Sequence, residues 1–138
     1  QFIAIVETNP AAPKAYTNIG LLYLHKQDSK SAEQVFLMAI EQDKSDAIAY
    51  NHLAVIQRQQ GLFKLALFNY YKAIDADPAY ANAQLNLGIL LDIYLQDLPK
   101  ALQQYEKYQQ LTGDSNEEVS KWIIDIKRRI ENLKSDSQ

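Results

Sequence analysis

Apolar residues recur along this chain in short bursts at helical spacing, separated by polar or proline-bearing breaks. Tyr16, Ile19, Gly20 and Tyr23 fall three to four apart, and Leu21, Leu22 and Leu24 widen the stripe, which predicts a helix over Pro13 to Lys26. Gln27-Asp28-Ser29 is a polar break with capping residues, followed by a second stripe of Ala32, Val35, Phe36, Ala39 and Ile40 over Lys30 to Gln42. The pair then repeats. Ala47 to Gln60 and Phe63 to Ala76 form the next two helices, with Gly61 between them and Asp77-Pro78 as the stop. Ala81 to about Leu95 and Leu98 to Leu111 form a third pair, with Asp97 as cap and Pro99 in the first turn.

The pairs are near-copies at a fixed period. Asn18-Ile19-Gly20, His52-Leu53-Ala54 and Asn86-Leu87-Gly88 lie 34 residues apart, each placing a small residue after an aliphatic one. Such a period marks a stacked repeat. The small residues let two helices approach, and Phe36, Tyr70 and Tyr105 fill the space behind them. The third unit is one residue longer, since Ala101 is 35 rather than 34 beyond Ala66, and the extra residue is expected in the turn.

Both ends of the chain differ from the repeats. Gln1 to Thr8 reads as the last turns of a helix stopped by Asn9-Pro10, so residues 1–10 are expected to close a preceding repeat cut short by the start at Gln1. Thr112-Gly113-Asp114-Ser115 is a boundary, with Gly113 suited to a left-handed helix end. The final helix, to about Lys134, carries Val119, Trp122, Ile123, Ile126, Ile130 and Leu133 on one side. Its other face holds Lys121, Asp125, Lys127, Arg128, Arg129 and Glu131, read as solvated. A helix apolar on one side and charged on the other is what the end of a solenoid requires. The expected organisation is therefore residues 13–46, 47–80 and 81–113 as three repeats, 114–134 as a capping helix and 135–138 as a frayed tail.

Composition narrows the function. The net charge of −3 offers no basic face for nucleic acid. No run of about 18 apolar residues exists to span a membrane. Cysteine is absent, His25 and His52 have no carboxylates at metal-ligand spacing, and no phosphate loop or nucleophile motif occurs. Neither catalysis, a metal nor a cofactor is expected.

Tyr16, Ile19, Gly20, Tyr23, Ala32, Phe36 and Ala39 resemble the tetratricopeptide repeat pattern of aromatic, aliphatic, small and aromatic on the first helix, then alanine, aromatic and alanine on the second. Tyr50, Leu53, Ala54, Ala66, Tyr70, Ala73 and Pro78 match again, with Gln57 where an aromatic is usual. In the third unit Leu87, Gly88, Leu91, Ala101 and Tyr105 match, Gln84 replaces the first aromatic, and Tyr108 stands where alanine is usual, as it would if it met the capping helix. The resemblance implies an all-α, right-handed α-solenoid of helix-turn-helix repeats, and a non-catalytic module or scaffold that holds a peptide or helical segment of a partner protein in a concave groove.

By the same resemblance the groove takes Lys14, Thr17, Asn18, Leu21 and His25 from the first repeat. The second gives Ile48, Asn51, His52, Val55, Arg58 and Gln59, and the third gives Asn82, Leu85, Asn86, Ile89 and Ile93. Asn18, His52 and Asn86, one period apart, look like an asparagine ladder interrupted by histidine. An amide both donates and accepts, so a ladder of them can hold an extended backbone largely regardless of its sequence. Some members of the family clamp a C-terminal carboxylate, but Thr17 and Leu21 stand where lysine and asparagine would be wanted. Two alternatives remain. In one, the cut N-terminal face or the last helix packs on another copy or a larger complex. In the other, the chain is the regulatory part of an enzyme whose catalytic region lies outside it. Short gaps, many glutamines and the absence of cysteine lean toward a bacterial protein, and bacterial proteins of this kind often serve envelope assembly or secretion.

Overall fold

The computed structural model describes residues 14–136, so the expectations for residues 1–10, for Pro13 and for the last two residues lie outside it. Seven α-helices run through the described residues: α1 (Ala15–His25), α2 (Ser29–Gln42), α3 (Ala47–Gln59), α4 (Phe63–Ala76), α5 (Ala81–Ile89), α6 (Leu98–Thr112) and α7 (Glu117–Asp136). The chain divides into two compact units, one ending at Asp77 and the other starting at Pro78.

In the first unit the helices pair in chain order, α1 with α2, α2 with α3 and α3 with α4. Ala32, Phe36, Ala39, Ala49, Leu53 and Ile56 form the core, with Tyr16, Leu21 and Tyr23 packed against it. The small residue of α1 works as its spacing implies. A Cβ placed on Gly20 would lie 2.5 Å from the Phe36 ring, so only glycine admits that ring. Two helix starts, those of α2 and α3, are set by carboxylates. Asp28 accepts the Ser31 N–H at 3.1 Å, and Asp46 accepts the Ala49 N–H at 3.1 Å. Asp46 is also buried, and its second oxygen accepts the Thr17 hydroxyl from α1, which ties consecutive first helices together.

In the second unit α5 packs on α6 and α6 on α7. Tyr105 is buried against Gly88, where a Cβ would come within 2.7 Å of its ring. Asp97 caps α6 through the Lys100 N–H, Pro99 lies in the first turn, and Gly113 ends the helix at φ 68°. Gln109 then fastens the connection to α7, donating to the Asn116 carbonyl at 2.7 Å and to the Ser120 hydroxyl at 2.6 Å. Asn116 caps α7 by accepting the Val119 N–H, and its side-chain amide donates to the Tyr108 hydroxyl at 3.4 Å. Tyr108 thus meets the start of the last helix. Val119 and Ile126 of α7 are fully buried.

Two expectations are corrected. The helix expected over Ala81 to Leu95 is α-helical only to Ile89, and Leu90–Tyr94 form a π-helical turn. The extra residue of the third repeat therefore widens a helix and leaves the turn after it unchanged. Arg129, expected on a solvated face, instead reaches Asp92 at 2.9 Å from 37 residues away. Lys127 and Arg128 do stay exposed.

Candidate functional site

The first helices α1, α3 and α5 carry the residues expected to meet a partner. In the first unit Asn18 on α1 is exposed, as are Lys14 at its start and His25 at its end. Leu21, His52, Val55 and Arg58 are half-buried, as is Ile48, and Gln59 is exposed. Thr17 and Asn51 are instead enclosed, at 1% and 2% exposure, so neither offers its side chain outward. Thr17 is spent on Asp46, which also removes it from any role in a carboxylate clamp.

His52 sits differently from a surface histidine. Its ring stacks on Phe36 with centroids 5.7 Å apart and planes 13° from parallel. Burial against that ring pushes its pKa below the ordinary value of 6.5. A neutral imidazole has one donor and one acceptor nitrogen, the same pair of functions an amide offers. Histidine can therefore replace asparagine at this position in the period.

In the second unit Asn82 is exposed, Leu85, Asn86 and Ile89 are half-buried, and Ile93 on the π turn is 61% exposed. Ile89 and Ile93 line a notch of about 210 Å³ together with Asp92, Tyr105 and Trp122. Trp122 meets the Tyr105 ring at 5.6 Å, tilted by 50°. Burial first, then the Asp92 carboxylate, pushes the Tyr105 phenol well above its ordinary pKa, so it stays a proton donor to Asp92 at 3.0 Å. Sequence reading missed Asp92, Tyr105, Trp122 and Arg129 as parts of this face. The spacing of 35 between Ala66 and Ala101 was the one signal pointing there.

What these faces offer is hydrogen-bonding amides beside open aliphatic surface. The architecture defines a class of protein: an all-α solenoid of paired helices closed by a terminal helix, which presents surfaces to other proteins. The chain belongs to the tetratricopeptide repeat family. Two tetratricopeptide repeat models match it, one over residues 1–47 and one over 47–80. It is 31% identical over 128 residues to the uncharacterized protein ycf37 of Cyanophora paradoxa, covering 89% of this chain and 70% of that protein. Among solved structures it is similar to the first TPR of Spaghetti (RPAP3), bound to the HSP90 peptide SRMEEVD. The TM-score is 0.76 at 18% identity, over 84% of this chain and 90% of that one. It is also similar to SycD, a type III secretion translocator chaperone of Yersinia enterocolitica, with a TM-score of 0.77 at 17% identity over 89% and 88%. The protein is an interaction module of this family, and such repeats are typically non-catalytic. No helix among the described residues is long and apolar enough to cross a membrane.

Proposed function

We propose that the chain binds a peptide or helical segment of a partner protein along its first-helix faces. Lys14, Asn18, Leu21, His25, His52, Val55 and Arg58 would serve in the first unit, and Asn82, Leu85, Asn86, Ile89 and Ile93 in the second. The observation that carries this reading is the open apolar surface beside amides on one helix: Ile93 is 61% exposed next to half-open Ile89, Leu85 and Asn86. Such surface is costly to leave in water and marks a place where another apolar group docks. The two structural neighbours lend support, since one is bound to a peptide and the other is a type III secretion translocator chaperone. The buried Thr17 argues against a carboxylate clamp, and the exposed Ile93 favours a partner with aliphatic side chains.

The test is a pull-down from the source cell with the unaltered chain and with an Asn86→Ala/Ile89→Glu variant. A protein retained by the first and lost by the second, with helicity unchanged, supports the reading. Identical sets of retained proteins count against it.

A second reading, assembly with another copy or a larger complex, draws on α7, whose Ile124 and Leu133 are 67% and 60% exposed. Light scattering separates the two, because only assembly with another copy raises the mass with concentration in the absence of a partner.

A further inference from the structure

The residue that lengthens the third repeat has a traceable location. Each repeat turns through one left-handed residue, Gln27 at φ 62°, Gly61 at φ 81° and Gln96 at φ 55°. In the first two repeats the N–H that follows reaches five residues back, from Asp28 to the Tyr23 carbonyl and from Leu62 to the Gln57 carbonyl, both at 2.8 Å. In the third it reaches six back, from Asp97 to Leu91, also at 2.8 Å. The turn is the same, so the added residue sits upstream, where the Leu95 N–H bonds the Leu90 carbonyl in a π turn.

A π turn adds one residue to the inward face of a helix. Where the second repeat buries Gln57, which accepts from Asn69 at 2.7 Å, the third buries Leu91, and Asp92 beside it meets groups on both α6 and α7. The Asp92 side chain is only 13% exposed, and both its oxygens are engaged, one by the Tyr105 hydroxyl and the other by Arg129 of α7. Seven residues before Arg129 on the same helix, Trp122 lies against Tyr105 and lines the notch with Ile89 and Ile93.

We propose that the π turn carries a latch: Asp92, seated on it, holds α7 through Arg129 and keeps Trp122 in place as a wall of the notch. α7 is then the element that can loosen without unfolding the pair beneath it. The consequence for a partner, that an open latch removes one wall from the Ile89–Ile93 face, rests on the binding reading above. The latch itself does not.

Trp122 is the one tryptophan in the chain, so its emission reports the docking of α7 directly. Asp92→Asn keeps the shape and the bond from Tyr105 but removes the charge, and Arg129→Gln removes the other partner. Each is expected to shift Trp122 emission to the red and to speed amide exchange over 119–130 about tenfold, the size expected when a charge-assisted bond is lost. Exchange in α2 and α3 should stay as it was. The double variant should be no worse than either single one. In the unaltered protein, salt at about 1 M should reproduce part of the effect, since screening shortens the reach of the ion pair. The latch is overturned by unchanged Trp122 emission and α7 exchange in both single variants, or by a double variant equal to the sum of the singles. All of these readings are made without a partner, so a chain that binds nothing can still show the latch, and a partner can still be found if the latch fails.

Discussion

Two helical glycines set how closely the helix pairs approach, and the cost of altering them follows from the ring each one faces. A Cβ at Gly88 would sit 2.7 Å from two atoms of the Tyr105 ring, and Tyr105 is buried and bound to Asp92 through its hydroxyl, so it has little freedom to withdraw. Gly88→Ala is expected to destabilise the protein by about 1–3 kcal/mol, despite the better helix propensity of alanine, and Gly88→Leu by at least as much. Urea denaturation checks this, and a midpoint equal to that of the unaltered chain would remove the close approach from the account. The buried carboxylate of Asp46 gives a second comparison at this scale. Asp28 caps α2 in the open, whereas Asp46 caps α3 and also receives the Thr17 hydroxyl away from water. Asp28→Ala should cost about 1 kcal/mol, the usual worth of a cap. Asp46→Ala should cost more, by about 1–3 kcal/mol, because it orphans a buried hydroxyl as well. Equal losses in the two variants would show that the Thr17 bond contributes nothing.

At the scale of the element, α3 carries a histidine, His52, whose ionisation is coupled to packing. Burial against Phe36 lowers the pKa of His52 in the folded chain below the 6.5 of the unfolded one. The unfolded state therefore binds a proton first as pH falls. The contribution of His52 to stability is present above about pH 6.5 and is lost as pH drops through its lower folded value. Urea midpoints between pH 7.5 and 5 should fall for the unaltered chain and fall less for His52→Gln, which keeps a donor and an acceptor without titrating. Parallel curves for the two would assign the acid sensitivity elsewhere. Helix positions were largely legible in the sequence because each element follows one periodic stripe between clear signals, such as Asp97 with Pro99 at the start of α6 and Gly113 at its end. The π turn was not legible. The count of 35 residues reveals an insertion, but whether a turn or a helix absorbs it depends on what Asp92 finds opposite, and Arg129 is 37 residues away. Thr17 and Asn51 were misplaced for a related reason. Helical periodicity sorts residues by face and cannot see that a polar side chain will be enclosed in the fold or that, for Thr17, the next repeat will supply a partner in Asp46.

For the whole molecule the consequential element is the last helix, because a stack of repeats has stable neighbours on every side except at its ends. α7 places Val119 and Ile126 in fully buried positions over α6 and turns Lys121, Lys127, Arg128 and Glu131 to water. Each buried aliphatic side chain is worth about 1.5–3 kcal/mol, so two of them, with Trp122 beside Tyr105, outweigh what the Asp92–Arg129 pair alone can contribute. Breaking the pair should therefore loosen α7, and removing the helix should do something different in kind. A chain ending at Asp114 would expose the side of α6 that α7 covers, including the edge of the Tyr105 ring. It is expected to lose amide protection throughout residues 81–112 and to scatter more light as its concentration rises, as uncovered apolar surface seeks other copies. The same measurements on Arg129→Gln should show the exchange change confined to α7 and no rise in scattered mass. If the shortened chain instead kept its protection over 81–112 and its mass, α7 would be an appendage to the repeats, and the exposed Ile124 and Leu133 on it would have to be explained by a partner that needs them rather than by the end of a stack.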